Sequence, residues 1–160
     1  MSHSVLVTGA FGNIGSRVVR HLLAAGHRVV AVDLKTPKTE ELAAAFGGAI
    51  ELIWGNICDP TLWPRALMGV DVVVHMAAII PPAADRNREL TLAVNQTATL
   101  ELLKCMELST TAKRLVFASS MTVAGHEQDQ RTPPLKVEDE MQPTDLYGET
   151  KAECERRIRA

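Results

Sequence analysis

The chain has one tyrosine, Tyr147 in "TDLYGETKAE", and Lys151 follows it by four residues. Residues i and i+4 share one face of a helix, so this phenol and this ammonium point the same way. A phenol with a pKa near ~10 is a poor base at neutral pH. A positive charge held nearby favours its ionised form. The pair therefore suits transfer of a hydroxyl proton by general acid–base catalysis. A hydroxyl donor to the reacting oxygen would complete the set, and "ASSM" supplies Ser119 and Ser120, with Thr122 just beyond. Ordinary exposed helix pairs have the same spacing as Tyr147 and Lys151, so the elements that carry these groups must decide.

Those elements alternate. "SVLVTG", "RVVAVD", "AIELIW", "DVVVHM" and "RLVFASS" are short runs rich in β-branched residues and read as five strands. Between them, Ile14, Val18, Val19, Leu22 and Leu23 recur at helical spacing, and Gly26 ends the pattern. A second helix is expected from about Thr39 to Phe46, with Glu40 and Glu41 in its first turn. Asp59-Pro60 reads as an N-cap and first helical position, opening a short helix that reaches about Met68. A long helix is expected from about Asn87 to Leu108, a long polar loop from Gly125 to Thr144, and a last helix from near Leu146. Strands that are apolar throughout suit a parallel sheet covered on both faces. The expected fold class is α/β, a doubly wound parallel sheet made of five βα units.

"VTGAFGNIG" sets Gly9, Gly12 and Gly15 between the first strand and the first helix. Gly9 allows the tight turn, Gly12 lets backbone approach a pyrophosphate, and Gly15 lets helix pack closely on strand. The pyrophosphate would face the N–H groups at the helix start. Phe11, Asn13 and Ile14 belong to the same candidate cofactor loop. Asp33 closes the second strand, where a carboxylate can accept both ribose hydroxyls and would repel a 2′-phosphate. This favours NAD, although Lys35 nearby could offset the repulsion.

Bulk properties exclude several other classes. A net charge of −2, with aromatics at 4%, offers neither the basic face nor the stacking surface that nucleic acids need. No apolar run approaches the ~20 residues of a membrane span. Cys58, Cys105 and Cys154 form no CxxC pair or zinc spacing, and their odd number suits a reducing, cytoplasmic setting. No metal site is expected. The chain ends in "ECERRIRA" without a C-capping Gly or Asn, and a sixth strand is missing. The expectation is that residues 1–160 are an incomplete NAD-binding domain of Rossmann type, with the C-terminal substrate-binding region beyond them.

Taken in order, "TGAFGNIG", "GNICD", "VVVHMAA", "AVNQTATLELL", "VFASSMTVAG" and "YGETK" resemble the extended short-chain dehydrogenase/reductase family, in particular its NAD-dependent epimerase/dehydratase group. The resemblance implies that Ser120, Tyr147 and Lys151 are catalytic, with Lys151 also on the nicotinamide ribose. It implies that Ile57, Cys58 and Asp59 border the adenine, while Asp59 as a helix cap is equally open. Ala77 and Ala78 would give clearance beside the cofactor. Asn95 would support the active site or a bound water, or serve as a packing polar group. His75 reads as a satisfied strand-end histidine. The implied activity is hydride transfer between nicotinamide and a secondary alcohol or ketone, of a sugar or nucleotide sugar by family default, in a homodimer. Ala124 stands in "TVAG" where many nucleotide-sugar members have tyrosine, and "IIPPAAD" is apolar. A reductase of a more apolar carbonyl therefore stays open, as does a cofactor-binding sensor without chemistry.

Overall fold

A computed structural model describes residues 2–125 and 136–160. Half of the loop expected between Gly125 and Thr144, His126 included, lies outside the described residues. The chain forms two compact units: residues 1–78 with 101–118, and residues 79–100 with 119–160.

The first unit holds a five-stranded sheet: β1 Ser4–Thr8, β2 Arg28–Asp33, β3 Glu51–Trp54, β4 Val72–His75 and β5 Arg114–Phe117. All four pairings are parallel and the strand order is β3-β2-β1-β4-β5. The order reverses at β1, which lies between β2 and β4. In open α/β sheets such a switch point opens the crevice where ligands bind. Helices α1 (Gly15–Ala24), α2 (Pro37–Ala44) and α3 (Leu62–Ala66) belong to this unit. Strand side chains alternate between faces. Val5, Val7, Val29, Ala31 and Val74 form one core with Phe11, Val19 and Ala43, and Val18, Leu22, Leu42, Phe46 and Trp54 pack against it. By the same alternation, Leu6, Thr8, Val30, Val32, Val73 and His75 face the other way, all buried. On that side the Trp63 ring of α3 meets the His75 ring edge-on at 6.5 Å.

The second unit begins after β4. α4 (Ala83–Arg86) and α5 (Arg88–Leu92) lead into a π-helical turn, Ala93–Thr97, and α6 (Ala98–Leu108) continues into the first unit. A 3₁₀ turn, Met121–Ala124, and α7 (Leu146–Arg159) complete it. α7 has the charge order its dipole favours, with Glu149 in the first turn and Arg156, Arg157 and Arg159 in the last. Among the described residues no helix is long and apolar enough to cross a membrane.

Three elements differ from expectation. α2 starts at Pro37 rather than Thr39, because Thr36 is the N-cap and forms a capping box with Thr39. α3 starts at Leu62, because Asp59 Oδ1 takes both the N–H and the hydroxyl of Thr61 and holds a turn ahead of the helix. The long helix is interrupted by the π turn, and α4 precedes it.

One hydroxyl joins the strands at the switch point. Thr8 Oγ1 accepts the N–H groups of Met76 and Ala77, each at 3.2 Å, and lies 2.7 Å from His75 Nδ1. Both lone pairs are then used, so the hydroxyl proton goes to Nδ1. His75 is thereby a satisfied strand-end histidine, as expected. Thr8→Val keeps the shape and leaves these buried groups without the hydroxyl. Urea unfolding is expected to show a loss of about 3 kcal/mol or more, at ~1–3 kcal/mol per unmade buried bond, with Thr8→Ser losing much less. Equal stability of Thr8→Val and the wild type would contradict this account.

Candidate active site

In the first unit the glycine loop follows Thr8 directly. Gly9 has φ +61°, and a Cβ on it would sit 2.9 Å from the backbone of Ala77. Any larger residue would push β1 and the segment after β4 apart. A Cβ on Gly15 would fall on the Gly9 carbonyl oxygen, which is why helix α1 can start so close to the strand. Gly12 N–H donates to Gly9 O at 3.0 Å and closes the turn. No side chain caps the N-terminus of α1. Gly12, Asn13 and Ile14 are exposed there, while Phe11 is buried against Trp54 and Phe46. A glycine cradle opening on an uncapped, ten-residue helix fits a pyrophosphate.

Asp33 is tied to this loop. Its Oδ2 accepts the Phe11 N–H at 2.8 Å and its Oδ1 accepts the Leu34 N–H at 2.8 Å. Each oxygen keeps a lone pair for a ribose hydroxyl. Lys35 Nζ is 3.4 Å from Glu40 Oε1, an exposed pair that engages its charge on α2. Of the residues expected at the adenine, Ile57 is buried, whereas Cys58 and Asp59 are exposed. The Thr61 hydrogen bonds hold the Asp59 carboxyl below its ordinary value. Asp59 therefore acts as a turn cap and still presents a carboxylate to solvent. Ala77 and Ala78 are half-buried.

In the second unit, Asp145 caps α7 by accepting the Gly148 N–H at 2.6 Å. This fixes the first turn of the helix that carries Tyr147 and Lys151. Tyr147 is half-buried, and Lys151 is only 2% exposed. Lys151 Nζ is 5.6 Å from the centre of the Tyr147 ring. Burial pushes the lysine down from 10.5 to about 8. Burial, followed by the Asp145 charge, pushes the tyrosine up. The expected lowering of the phenol by Lys151 is thus absent here: burial and the Asp145 charge both act in the opposite direction.

Ser120 is the third group. Its Oγ accepts the Thr122 N–H at 3.2 Å and the Thr122 hydroxyl proton at 3.0 Å. With both acceptor sites filled, its own proton remains to be donated outward. Thr122, the hydroxyl just beyond the two serines, is the group that orients Ser120.

Asn95 lies in the π turn, fully buried. Its Oδ1 accepts the Ile79 N–H at 2.7 Å, and its Nδ2 donates to Ile79 O at 2.8 Å. The side chain thus clamps both backbone groups of Ile79 as a strand neighbour would. The Asn95 carbonyl in turn accepts the Thr99 hydroxyl at 2.8 Å and the Cys154 thiol at 3.3 Å. Burial pushes the Cys154 thiol up, which keeps it a neutral donor. Two partners missed in the sequence are Thr8 and Glu155, the latter bonded to the Ser119 hydroxyl. A threonine directly after the apolar run Val5, Leu6 and Val7 is the available signal for Thr8; nothing in the sequence marks Glu155. Among the described residues no group of three His, Cys, Asp or Glu could hold a metal ion.

Known proteins resemble this chain along nearly its whole length. The model of the NAD dependent epimerase/dehydratase family matches residues 5–160. A 3 beta-hydroxysteroid dehydrogenase/Delta 5-->4-isomerase of Mycobacterium tuberculosis is 32% identical, over 98% of this chain and 42% of its own. A UDP-glucose 4-epimerase of Vibrio cholerae is 32% identical, over 99% of this chain and 47% of its own. A short-chain dehydrogenase/reductase superfamily protein of Agrobacterium tumefaciens, solved with bound NAD, matches with a TM-score of 0.81 at 31% identity, over 98% of this chain and 44% of that one. The chain spans less than half the length of these relatives. With the family model matched from β1 through α7, the chain belongs to the NAD-dependent epimerase/dehydratase family.

Proposed function

We propose that this chain supplies the NAD-binding and proton-transfer parts of an enzyme that interconverts a secondary alcohol and a ketone on a small molecule. The sugar of a nucleotide sugar is the leading substrate class. The observation that carries the reading is Lys151, a buried lysine one turn after Tyr147 on the same face of α7. An ordinary exposed helix pair would leave that ammonium in water. Bound NAD would supply the hydride acceptor. Gly9, Gly12 and Gly15 would admit its pyrophosphate to the start of α1, with Phe11, Asn13 and Ile14 alongside. Asp33 would accept the adenosine ribose hydroxyls, and Ile57, Cys58 and Asp59 would border the adenine. Ala77 and Ala78 would leave room for the cofactor.

Ser120 donates its free proton to the substrate oxygen, where charge develops. Tyr147 takes the hydroxyl proton and returns it in the reverse direction. Lys151 would place a positive charge one turn from the phenol and a donor on the nicotinamide ribose. Asn95, through Ile79, holds the segment after β4. A second copy of the chain would cover Leu90, the apolar residue that α5 leaves exposed, giving a homodimer. A cytoplasmic location fits three free cysteines.

A second reading, a reductase of an apolar carbonyl, is favoured by Ala124 and by the apolar run from Ile79 to Pro82, in which Ile80 is 59% exposed.

Three outcomes are expected of the full-length protein. Tyr147→Phe lowers turnover about 100-fold or more, the scale of acid–base catalysis, with NAD affinity little changed. Near-normal turnover would remove Tyr147 from the mechanism and leave a binding protein as the better reading. Titration calorimetry gives tighter binding of NAD than of NADP, because Asp33 faces the 2′ position; equal affinities would refute the assignment. Lys151 also predicts a pH dependence. Its folded value of about 8 lies below the ordinary 10.5. The unfolded chain therefore binds more protons between these values, and stability rises with pH in that window. Urea melts from pH 8 to 10 should show a smaller rise in Lys151→Met than in the wild type. Identical slopes would show that the lysine is not buried.

A further inference from the structure

We infer that Glu155 is a positioning residue, tying the strand-end serines to α7 so that Ser120 is aimed by the same helix that carries Tyr147 and Lys151; this rests on the reaction proposed above. The Ser119 hydroxyl donates to Glu155 Oε1. Arg159 Nη2 donates to the other oxygen, Oε2, at 2.8 Å, and the Glu155 side chain is only 15% exposed. Both carboxylate oxygens are therefore committed, and Arg159, one turn further on, holds the carboxylate against α7.

The adjacent Ser120 is extended, with φ −150° and ψ 152°. Neighbouring side chains leave an extended backbone on opposite sides. Anchoring the Ser119 side chain therefore sets the roll of the chain and the direction of the Ser120 hydroxyl. A second contact lies two turns earlier on the helix. Gly148 comes so near the 3₁₀ turn that a Cβ there would be 2.7 Å from Thr122 O. Gly148 and Glu155, at i and i+7, lie on one stripe of α7, about a quarter-turn from the Tyr147–Lys151 stripe. α7 thus grips the Ser119–Thr122 segment at two points and presents its catalytic face beside them. With Gly148 alone, the segment could pivot about one contact. Glu155 removes that freedom.

The test uses Ser119→Ala, Glu155→Ala, the double variant and Glu155→Gln in the full-length protein. Each is assayed for kcat, KM and NAD affinity, and for hydrogen exchange at the Thr122 amide, which reports its bond to Ser120 Oγ. Ser119→Ala and Glu155→Ala are expected to lower kcat about tenfold, within the cost of misplacing a catalytic group. KM and NAD affinity should stay within about twofold in both. The double variant should be no worse than the more damaged single variant, because both remove one tie. Glu155→Gln still accepts from Ser119 and should recover most of kcat. The Thr122 amide should exchange faster in the three slow variants. Ser119→Ala removes one oxygen from an exposed residue, so it decides the matter even if Glu155→Ala folds poorly. Unchanged kcat in Ser119→Ala, multiplicative losses in the double variant, or unchanged Thr122 exchange would each overturn the proposal. A wild type that turns over no alcohol would refute the reaction reading instead, and Thr122 exchange alone would then decide the tie.

Discussion

Parallel strands leave unpaired backbone groups at their ends, and the demand is greatest where a sheet reverses direction. Here the reversal falls between β1 and β4, and the Thr8 hydroxyl meets it by serving two N–H groups and the His75 ring together. The glycine loop starts at the next residue. Its geometry depends on that junction, because Gly9 is in backbone contact with Ala77, one of the residues Thr8 holds. A phosphate cradle must place backbone to within tenths of an ångström, and flexible glycines cannot do this alone. The rigidity comes from the buried hydroxyl beneath the loop, and from Asp33, which draws in the Phe11 N–H from the other side.

The second unit solves a different problem, that of keeping a lysine buried on a helix face. Desolvation works against the charged form, as the lowered pKa of Lys151 records. The neighbouring polar groups are tied up locally. Thr150 donates to the Tyr147 carbonyl, and Cys154 and Thr99 both donate to the Asn95 carbonyl in the π turn. Each such bond satisfies a group that would otherwise need water and keeps the packing around α7 tight. The π turn puts Asn95 where its amide can clamp Ile79. A regular helix through Ala93–Thr97 would rotate that side chain. The interruption is thus part of how the segment after β4 is held.

How much of this could be read from the residues follows from the range of the interactions. The five strands were legible because β-branched runs bounded by glycine or aspartate are local signals, and their continuous apolarity marked the sheet as parallel. Thr36-Pro37 was equally local, an N-cap followed by proline, yet the run of Glu40 and Glu41 drew the expected start of α2 too late. Tyr147, Lys151 and Ser120 were singled out by spacing and resemblance. The Thr8–His75 bond spans 67 residues and the Ser119–Glu155 bond spans 36, so no periodicity announces either one. The lowered lysine and raised tyrosine were also beyond the sequence. Spacing gives the face a side chain occupies, whereas these shifts depend on how much water reaches it.

The relatives bear on the proposed chemistry through what their named substrates share. Proteins named for a hydroxysteroid and for UDP-glucose match it at the same 32% identity, each over less than half of its own length. Their substrates share almost nothing in size, charge or polarity. What a steroid alcohol and a sugar hydroxyl do share is a carbon bearing both the hydrogen to be moved and the oxygen to be deprotonated. On the function proposed above, three features of this chain would answer to that common centre: a glycine cradle, a strand-end serine with its acceptor sites filled, and a tyrosine one turn before a buried lysine. Selectivity for the remainder of the substrate needs contacts that differ between relatives, and Ala124 and the apolar run after β4 are places where this chain already departs from the nucleotide-sugar pattern. A scaffold that fixes the reacting centre through buried, mutually satisfied groups can change such peripheral residues without disturbing the proton path. On the proposed reading, that separation is a physical reason for members of one family to carry names of substrates so unlike each other.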